Sequence, residues 1–139
     1  MYTIVRDISV PHHPEMADER VRVWVVDDQA SFRLATAAAV AATEDFAMAG
    51  NCETGESAIE LIPDGSAGIV LMDIHMPGMG GIEATRRLRA AHPDLIVLLT
   101  STYGVEDLPP EVASCGAAAY LHKEPLTPGL LTRLWKASH

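Results

Sequence analysis

The chain has 139 residues, of which 48% are hydrophobic, and carries a net charge of −9. This length fits one domain with a real core, and no apolar run approaches the ~20 residues that a membrane-spanning helix needs. The acidic balance argues against direct DNA binding, because nucleic-acid affinity depends largely on Lys and Arg neutralising phosphates.

The start of the chain lacks the pattern of a domain core. Residues 1–20 are polar and contain the run Pro11-His12-His13-Pro14, so we interpret them as a flexible N-terminal arm and residues 21–139 as the folded domain. We expect no secretory signal peptide, because no basic start followed by an apolar segment and a small-residue cleavage site is present. The two cysteines lack metal or redox spacing, and we expect reduced thiols in a cytoplasmic protein.

Strand and helix patterns alternate along the domain. Apolar runs typical of strands are Val21–Val26, Phe46–Cys52, Gly68–Asp73, Leu95–Leu99 and Ala117–Leu121. Helical patterns cover about Gln29–Glu44, a stretch capped by Thr54, Gly80 or Gly81 to about His92, and a stretch from Pro128 capped by Thr127. This alternation predicts an α/β fold in which helices cover both faces of a parallel sheet.

Two stretches qualify that pattern. Thr102 to Gly116 contains Pro109-Pro110, which forbids a regular helix there, so we expect only a short helix from Pro110 to Ser114 or Cys115. Arg86, Arg87 and Arg89 form a basic run, which we interpret as a solvated helix face.

Four predicted strands end in polar residues: Asp27 and Asp28, Asp73, Thr100, and Lys123. In a doubly wound parallel sheet these ends share one edge, where ligands bind. Carboxylates there repel, by about 4 kcal/mol for two unit charges ~4 Å apart at an effective dielectric near 20. Lys123 supplies one positive charge and a divalent ion would supply two more; oxygen ligands favour Mg²⁺.

Such a set has the parts for phosphoryl transfer onto Asp73, in which the carboxylate attacks phosphorus to form an aspartyl phosphate. Lys123 and Mg²⁺ would neutralise charge, and Thr100 could hydrogen-bond a phosphoryl oxygen. Taken alone, Asp73 could equally be a loop cap and Lys123 a solvated surface lysine. Their common position at the strand ends favours the phosphoryl-transfer interpretation.

The chain resembles the receiver domains of two-component response regulators over about residues 21–137. The matching segments are Val25-Val26-Asp27-Asp28-Gln29, Met72-Asp73-Ile74-His75-Met76-Pro77-Gly78-Met79, Gly81-Ile82-Glu83-Ala84, Leu98-Leu99-Thr100-Ser101 and Gly116-Ala117-Ala118-Ala119-Tyr120-Leu121-His122-Lys123. These segments are most similar to the branch whose members often carry a C-terminal helix-turn-helix. The resemblance implies a flavodoxin-like, doubly wound, five-stranded parallel sheet of order 2-1-3-4-5.

The resemblance also implies roles for individual residues. Asp73 would accept a phosphoryl group from a sensor histidine kinase, and Mg²⁺ would be held by Asp28 and Asp73, by Asp27 through water and by the backbone carbonyl of His75. Thr100 and Tyr120 would form a switch pair. The chain stops after its last predicted helix, so it is either a stand-alone receiver or a fragment of a longer regulator, and we favour a stand-alone receiver without a DNA-binding domain. Its downstream partner, and whether it forms a homodimer, stay open.

Two other functions stay open at this point. A Mg²⁺-dependent phosphohydrolase would also use an aspartate nucleophile, but it normally has a second acid two residues on, where this chain has His75. The other alternative is a receiver-like interaction module that is never phosphorylated. Turnover of a phosphomonoester would favour the first, and failure to bind Mg²⁺ would favour the second.

Overall fold

The computed structural model describes residues 20–102, 108–123 and 127–137. The strands are β1 (Val21–Val26), β2 (Phe46–Cys52), β3 (Gly68–Asp73), β4 (Leu95–Ser101) and β5 (Ala119–His122). The helices are α1 (Ala30–Ala41), α2 (Gly55–Leu61), α3 (Gly80–Ala91) and α4 (Pro128–Ala137). The predicted N-terminal arm lies, apart from Arg20, outside the described residues and stays a prediction.

All five strands pair in parallel in the order β2-β1-β3-β4-β5, which confirms the predicted flavodoxin-like sheet. Every residue of the central strand β3 is buried, as expected for a strand with helices on both faces. Its side chains alternate between two core layers: Ile69 and Leu71 pack in the layer covered by α1 and α4, and Val70 and Met72 in the layer covered by α2 and α3. None of the described helices is long and apolar enough to span a membrane.

The predicted helix caps are confirmed. The Thr54 hydroxyl oxygen accepts a hydrogen bond from the Ser57 backbone N–H at 3.0 Å, and the Thr127 hydroxyl oxygen accepts one from the Leu130 N–H at 3.2 Å. Each bond satisfies a donor that the first helical turn leaves without a partner.

Two predicted boundaries were wrong by two or three residues. Helix α1 ends at Ala41 rather than near Glu44, because the chain turns through Asp45, whose φ is 73°, to enter β2. Strand β5 begins at Ala119 rather than Ala117 and extends to His122. Both ends lie in runs of small residues that bury little apolar surface, so the hydrophobic pattern marks them poorly.

Between β4 and β5, the described residues contain only a short 3₁₀ helix at Pro110–Ala113, which confirms the short helix expected from the proline pair. Residues 103–107 of this connection lie outside the described residues.

The prediction for the basic run was wrong for one of its arginines. Arg86 and Arg87 are exposed and pair with Glu83 on the helix surface, at 3.3 and 3.0 Å. The Arg89 guanidinium instead turns back and donates hydrogen bonds to the carbonyls of Leu95, at 3.0 Å, and Gly116, at 3.1 Å. Arg89 therefore joins the end of α3 to the start of β4 and to the segment before β5.

Candidate functional site

Three carboxylates converge at the carboxyl edge of the sheet because β1 and β3 are neighbours. Asp27 and Asp28 follow β1, Asp73 ends β3, and one oxygen of each lies within 4.8 Å of the others. Asp27 is fully buried and Asp73 is 4% exposed, whereas Asp28 is exposed. A cluster made only of carboxylate oxygens is the donor set that Mg²⁺ prefers.

Lys123 is the cation of this cluster. Its backbone N–H donates to the Ser101 carbonyl at 2.7 Å, so the pairing of β5 with β4 continues to Lys123. Its Nζ lies 3.0 and 2.8 Å from Asp27 Oδ1 and Oδ2, but 3.6 Å from Asp73 Oδ2. The ammonium therefore neutralises Asp27 first, and Asp73 is the less compensated buried carboxylate.

The contacts of the two buried Asp27 oxygens bear on whether the site suits a divalent ion in addition to Lys123. Oδ1 accepts hydrogen bonds from Lys123 Nζ and from the Gln29 N–H at 2.8 Å. Oδ2 is also buried and lies 2.8 Å from the same Lys123 ammonium. One ammonium therefore serves both oxygens of Asp27, and a divalent ion among the three carboxylates would offset the negative charge that remains.

The Asp73 carboxyl is less acidic than an ordinary aspartate, because its pKa is raised in this form of the protein. Burial raises its pKa above the usual value, the neighbouring Asp27 raises it further, and Lys123 and the His75 N–H partly oppose the rise. The His75 N–H donates to Asp73 Oδ1 at 3.2 Å, while the residue itself is exposed. The loop after β3 thus holds the Asp73 carboxylate through its backbone.

Thr100 and Tyr120, the predicted switch pair, lie on adjacent strands. Thr100 is directly opposite Asp73 in the pairing of β3 and β4, and Tyr120 is opposite Leu99 in the pairing of β4 and β5. Thr100 is 3% exposed and its hydroxyl forms no hydrogen bond with any described residue. Tyr120 is half-buried against the core layer covered by α2 and α3.

The backbone after β3 turns sharply to start α3. Gly78 has a φ of 79°, which favours glycine. Gly81 donates its N–H to the Ile74 carbonyl at 3.0 Å, and a Cβ at Gly81 would overlap the carbonyl oxygen of Asp73. Helix α3 can therefore pack directly against the loop that carries Asp73 only because this position has no side chain.

Two polar residues of the site were missed by sequence reasoning. The Gln29 side-chain oxygen accepts a hydrogen bond from Lys123 Nζ at 2.6 Å. Arg33 donates to the backbone carbonyl of Asp27 at 2.7 Å and forms an ion pair with Glu53 at 3.4 Å. The signal that could have suggested them is their position in the sequence: Gln29 directly follows Asp27 and Asp28, and Arg33 lies one helical turn after Gln29.

The chain is similar to a known family of signalling domains and to curated members of it. The family model described as "Response regulator receiver domain" matches residues 23–134. The transcriptional regulatory protein DegU of Brevibacillus brevis is 34% identical over 110 residues, which is 79% of this chain and 47% of that protein. The response regulator GacA of Pseudomonas protegens is 36% identical over 103 residues, 74% of this chain and 48% of that protein. The chain thus spans about half the length of these curated relatives.

Solved structures agree with this assignment. The signal receiver domain of the response regulator NarL from Mycobacterium tuberculosis matches with a TM-score of 0.73 and 28% identity, covering 86% of this chain and 97% of that one. A LuxR-family DNA-binding response regulator from Staphylococcus aureus matches with a TM-score of 0.70 and 25% identity, covering 86% of this chain and 99% of that one. The chain belongs to the response regulator receiver domains of two-component systems.

Proposed function

We propose that this receiver accepts a phosphoryl group on Asp73 from the phosphohistidine of a sensor histidine kinase in the cytoplasm, and that the group changes which partner the chain binds. The observation that carries this proposal is the position of Asp73: it is buried beside two other carboxylates, Asp27 and Asp28, and incompletely neutralised by Lys123. The free cysteines Cys52 and Cys115 support a reducing compartment.

In the proposed transfer, an Asp73 carboxylate oxygen attacks phosphorus while the bond from phosphorus to the histidine ring nitrogen breaks. The phosphoryl group moves to Asp73, and the released ring nitrogen takes a proton from water. No general base is needed, because the attacking carboxylate has no proton to lose. Catalysis then depends on holding the reacting groups in line and neutralising charge.

The chain's own residues divide these tasks. Asp28 and Asp73 would hold Mg²⁺ directly, with Asp27 acting through water and the His75 carbonyl completing the set. When bound, the cation would neutralise charge on the carboxylate and phosphoryl oxygens. Lys123, whose Nζ lies 3.6 Å from Asp73 Oδ2, would bind another phosphoryl oxygen.

The switch would begin at Thr100, whose hydroxyl has no hydrogen-bond partner among the described residues. A phosphoryl oxygen on Asp73 would give this hydroxyl an acceptor, and Tyr120 would move into the space that Thr100 leaves. Such a device needs only to bias two existing conformations. Changing their ratio from 1:99 to 99:1 takes about 5.5 kcal/mol of differential stabilisation.

The test is an intact-mass measurement after incubation with Mg²⁺ and acetyl phosphate, on wild type and on Asp73→Asn. We expect one phosphoryl mass on wild type, none on Asp73→Asn and none on wild type in excess EDTA. Phosphorylation of the Asp73→Asn chain would show that the acceptor is elsewhere. No addition to wild type, with acetyl phosphate and with candidate kinases, would instead support a receiver-like module that is never phosphorylated.

A further inference from the structure

The Lys123 ammonium is held by Asp27 and Gln29, between β1 and α1, rather than by Asp73. It donates one hydrogen bond to Asp27 Oδ1 at 3.0 Å and a second to the Gln29 side-chain oxygen at 2.6 Å. The nearer oxygen of Asp73 lies at 3.6 Å, beyond hydrogen-bond distance. The lysine is therefore directed at the β1–α1 junction, although its proposed role is at Asp73.

Gln29 is well placed to hold the lysine there. It is the N-cap residue of α1, but its side chain does not cap the helix, so its amide is free to reach Lys123. An ammonium has only donors, so the amide must present its oxygen. The backbone N–H of Gln29 donates to Asp27 Oδ1 at 2.8 Å, which fixes the residue from which the amide extends.

Phe32 contributes on another side of the same ammonium. Its ring centroid lies 5.0 Å from Lys123 Nζ, within the range of a cation–π interaction. The lysine side chain is only 8% exposed. Its three N–H groups face three close acceptors, Asp27 Oδ1, Asp27 Oδ2 at 2.8 Å and the Gln29 amide oxygen. The ammonium must therefore give up one of these contacts to reach a new acceptor above Asp73.

We propose that Gln29 is a positioning residue that acts through Lys123. We call it a placeholder, because its amide stands in for the phosphoryl group. Its amide oxygen occupies, in the unphosphorylated domain, the ammonium N–H that a phosphoryl oxygen on Asp73 takes after transfer. This inference rests on the proposed function, because a placeholder has meaning only if Asp73 is phosphorylated. Gln29 then lowers the stability of the phosphorylated form relative to the unphosphorylated form.

The size of the effect follows from the bond that is exchanged. A typical hydrogen bond inside a protein changes an equilibrium by about threefold to tenfold. Gln29→Met keeps the length of the side chain and removes its oxygen. This variant should bind a phosphoryl analogue about threefold to tenfold more tightly than wild type, because Lys123 no longer gives up an acceptor when it binds the analogue.

The experiment is a titration of the full chain with beryllofluoride at saturating Mg²⁺, followed by backbone NMR signals, on wild type, Asp73→Asn, Gln29→Met and Ser31→Ala. Ser31 is an exposed residue of the same helical turn, so Ser31→Ala controls for changes in the start of α1 and should match wild type. Wild type that binds no beryllofluoride would refute the phosphorylation proposal, and the placeholder with it. If wild type binds beryllofluoride and Gln29→Met binds it equally or more weakly, the placeholder proposal is overturned and the phosphorylation proposal stands.

A double-mutant cycle separates the placeholder from a general effect on the loop. In a Lys123→Met background, Gln29→Met should change beryllofluoride affinity by less than about twofold, because its partner is gone. A persisting gain would overturn the proposal. If that background binds too weakly to compare, the Lys123 side-chain NMR signal must shift in unliganded Gln29→Met and not in Ser31→Ala; an unshifted signal overturns the proposal.

Discussion

Thr100 lies directly opposite Asp73 across β3 and β4, and its buried hydroxyl has no hydrogen-bond partner in the part of the chain that the structure describes. A buried hydroxyl without a partner costs free energy in the form of the protein that contains it. The same hydroxyl would find an acceptor on a phosphoryl group at Asp73. If Asp73 is phosphorylated as we propose, this hydroxyl would favour the phosphorylated form.

Thr100→Val should make the unphosphorylated chain more stable by about 1 kcal/mol, because valine has the shape of threonine without the unsatisfied hydroxyl. The measurement is urea unfolding without Mg²⁺. Thr100→Ser is the matched control: it keeps the hydroxyl, loses a buried methyl group and should be less stable by about 1 kcal/mol. Beryllofluoride with Mg²⁺ should stabilise Thr100→Ser more than Thr100→Val, and the opposite order would contradict this role for the hydroxyl.

Asp28→Asn should weaken Mg²⁺ binding about tenfold or more, because it removes the exposed carboxylate that we propose as a direct ligand without disturbing the core. Mg²⁺ at 100 times its dissociation constant stabilises a protein by about 2.7 kcal/mol, so thermal unfolding with and without Mg²⁺ measures the difference. Asp64→Asn removes an exposed carboxylate outside the cluster and should respond to Mg²⁺ as wild type does. An equal response from Asp28→Asn would exclude Asp28 as a ligand.

The raised pKa of Asp73 makes stability depend on pH in a defined direction. Burial and the Asp27 carboxylate make the folded state bind the Asp73 proton more tightly than the unfolded state does. The free energy of unfolding therefore falls as pH rises from the ordinary carboxyl pKa, about 4, through the raised value, and the loss is complete above it.

Asp73→Asn removes the destabilisation caused by the ionised, buried Asp73 carboxylate. In EDTA, this variant should therefore be more stable than wild type at neutral pH. The difference should shrink as pH falls toward the ordinary carboxyl range, where the wild-type group is protonated in both states. Chemical unfolding at a series of pH values tests this. A difference that stays constant, or that grows toward acid, would mean that Asp73 is not a destabilising anion in the folded chain.

The positions of the site residues could be predicted because they depend on topology. Parallel strands deliver their carboxyl ends to one edge, so Asp73, Thr100 and Lys123 could be placed together from strand ends alone. The partner of Lys123 could not be predicted in this way. Gln29 is 94 positions away in the chain, and a side-chain contact at that separation depends on how α1 sits against the sheet, which no local pattern encodes.

Arg89 shows the same limit at the opposite edge of the sheet. Helical spacing placed it beside two exposed arginines, but its guanidinium reaches carbonyls 6 and 27 positions away. Arg89→Ala should therefore destabilise the chain by about 1.5–3 kcal/mol, the range for hydrogen bonds to a charged group. Arg86→Ala, which removes only a surface ion pair, should change stability by less than about 1 kcal/mol. If urea unfolding showed the same loss of stability for Arg89→Ala and Arg86→Ala, the Arg89 hydrogen bonds would not stabilise the fold.

Gly81→Ala should damage the site through its backbone. A Cβ there would overlap the Asp73 carbonyl oxygen and lie 2.9 Å from Ile74 Cα, and backbone atoms of a buried strand end cannot move aside at low cost. We expect a loss of about 1–3 kcal/mol of stability, accompanied by weaker Mg²⁺ and beryllofluoride binding, since the loop that carries Asp73 must shift.

Gly129→Ala provides the contrast within the same chain. This glycine lies in α4 with open space around it, so alanine should increase stability by about 0.5–1 kcal/mol through helix propensity alone. Unfolding curves and Mg²⁺ titrations of both variants decide the matter. If Gly81→Ala were as stable as Gly129→Ala and bound Mg²⁺ normally, the close contact between α3 and the Asp73 loop would not be what positions the acceptor.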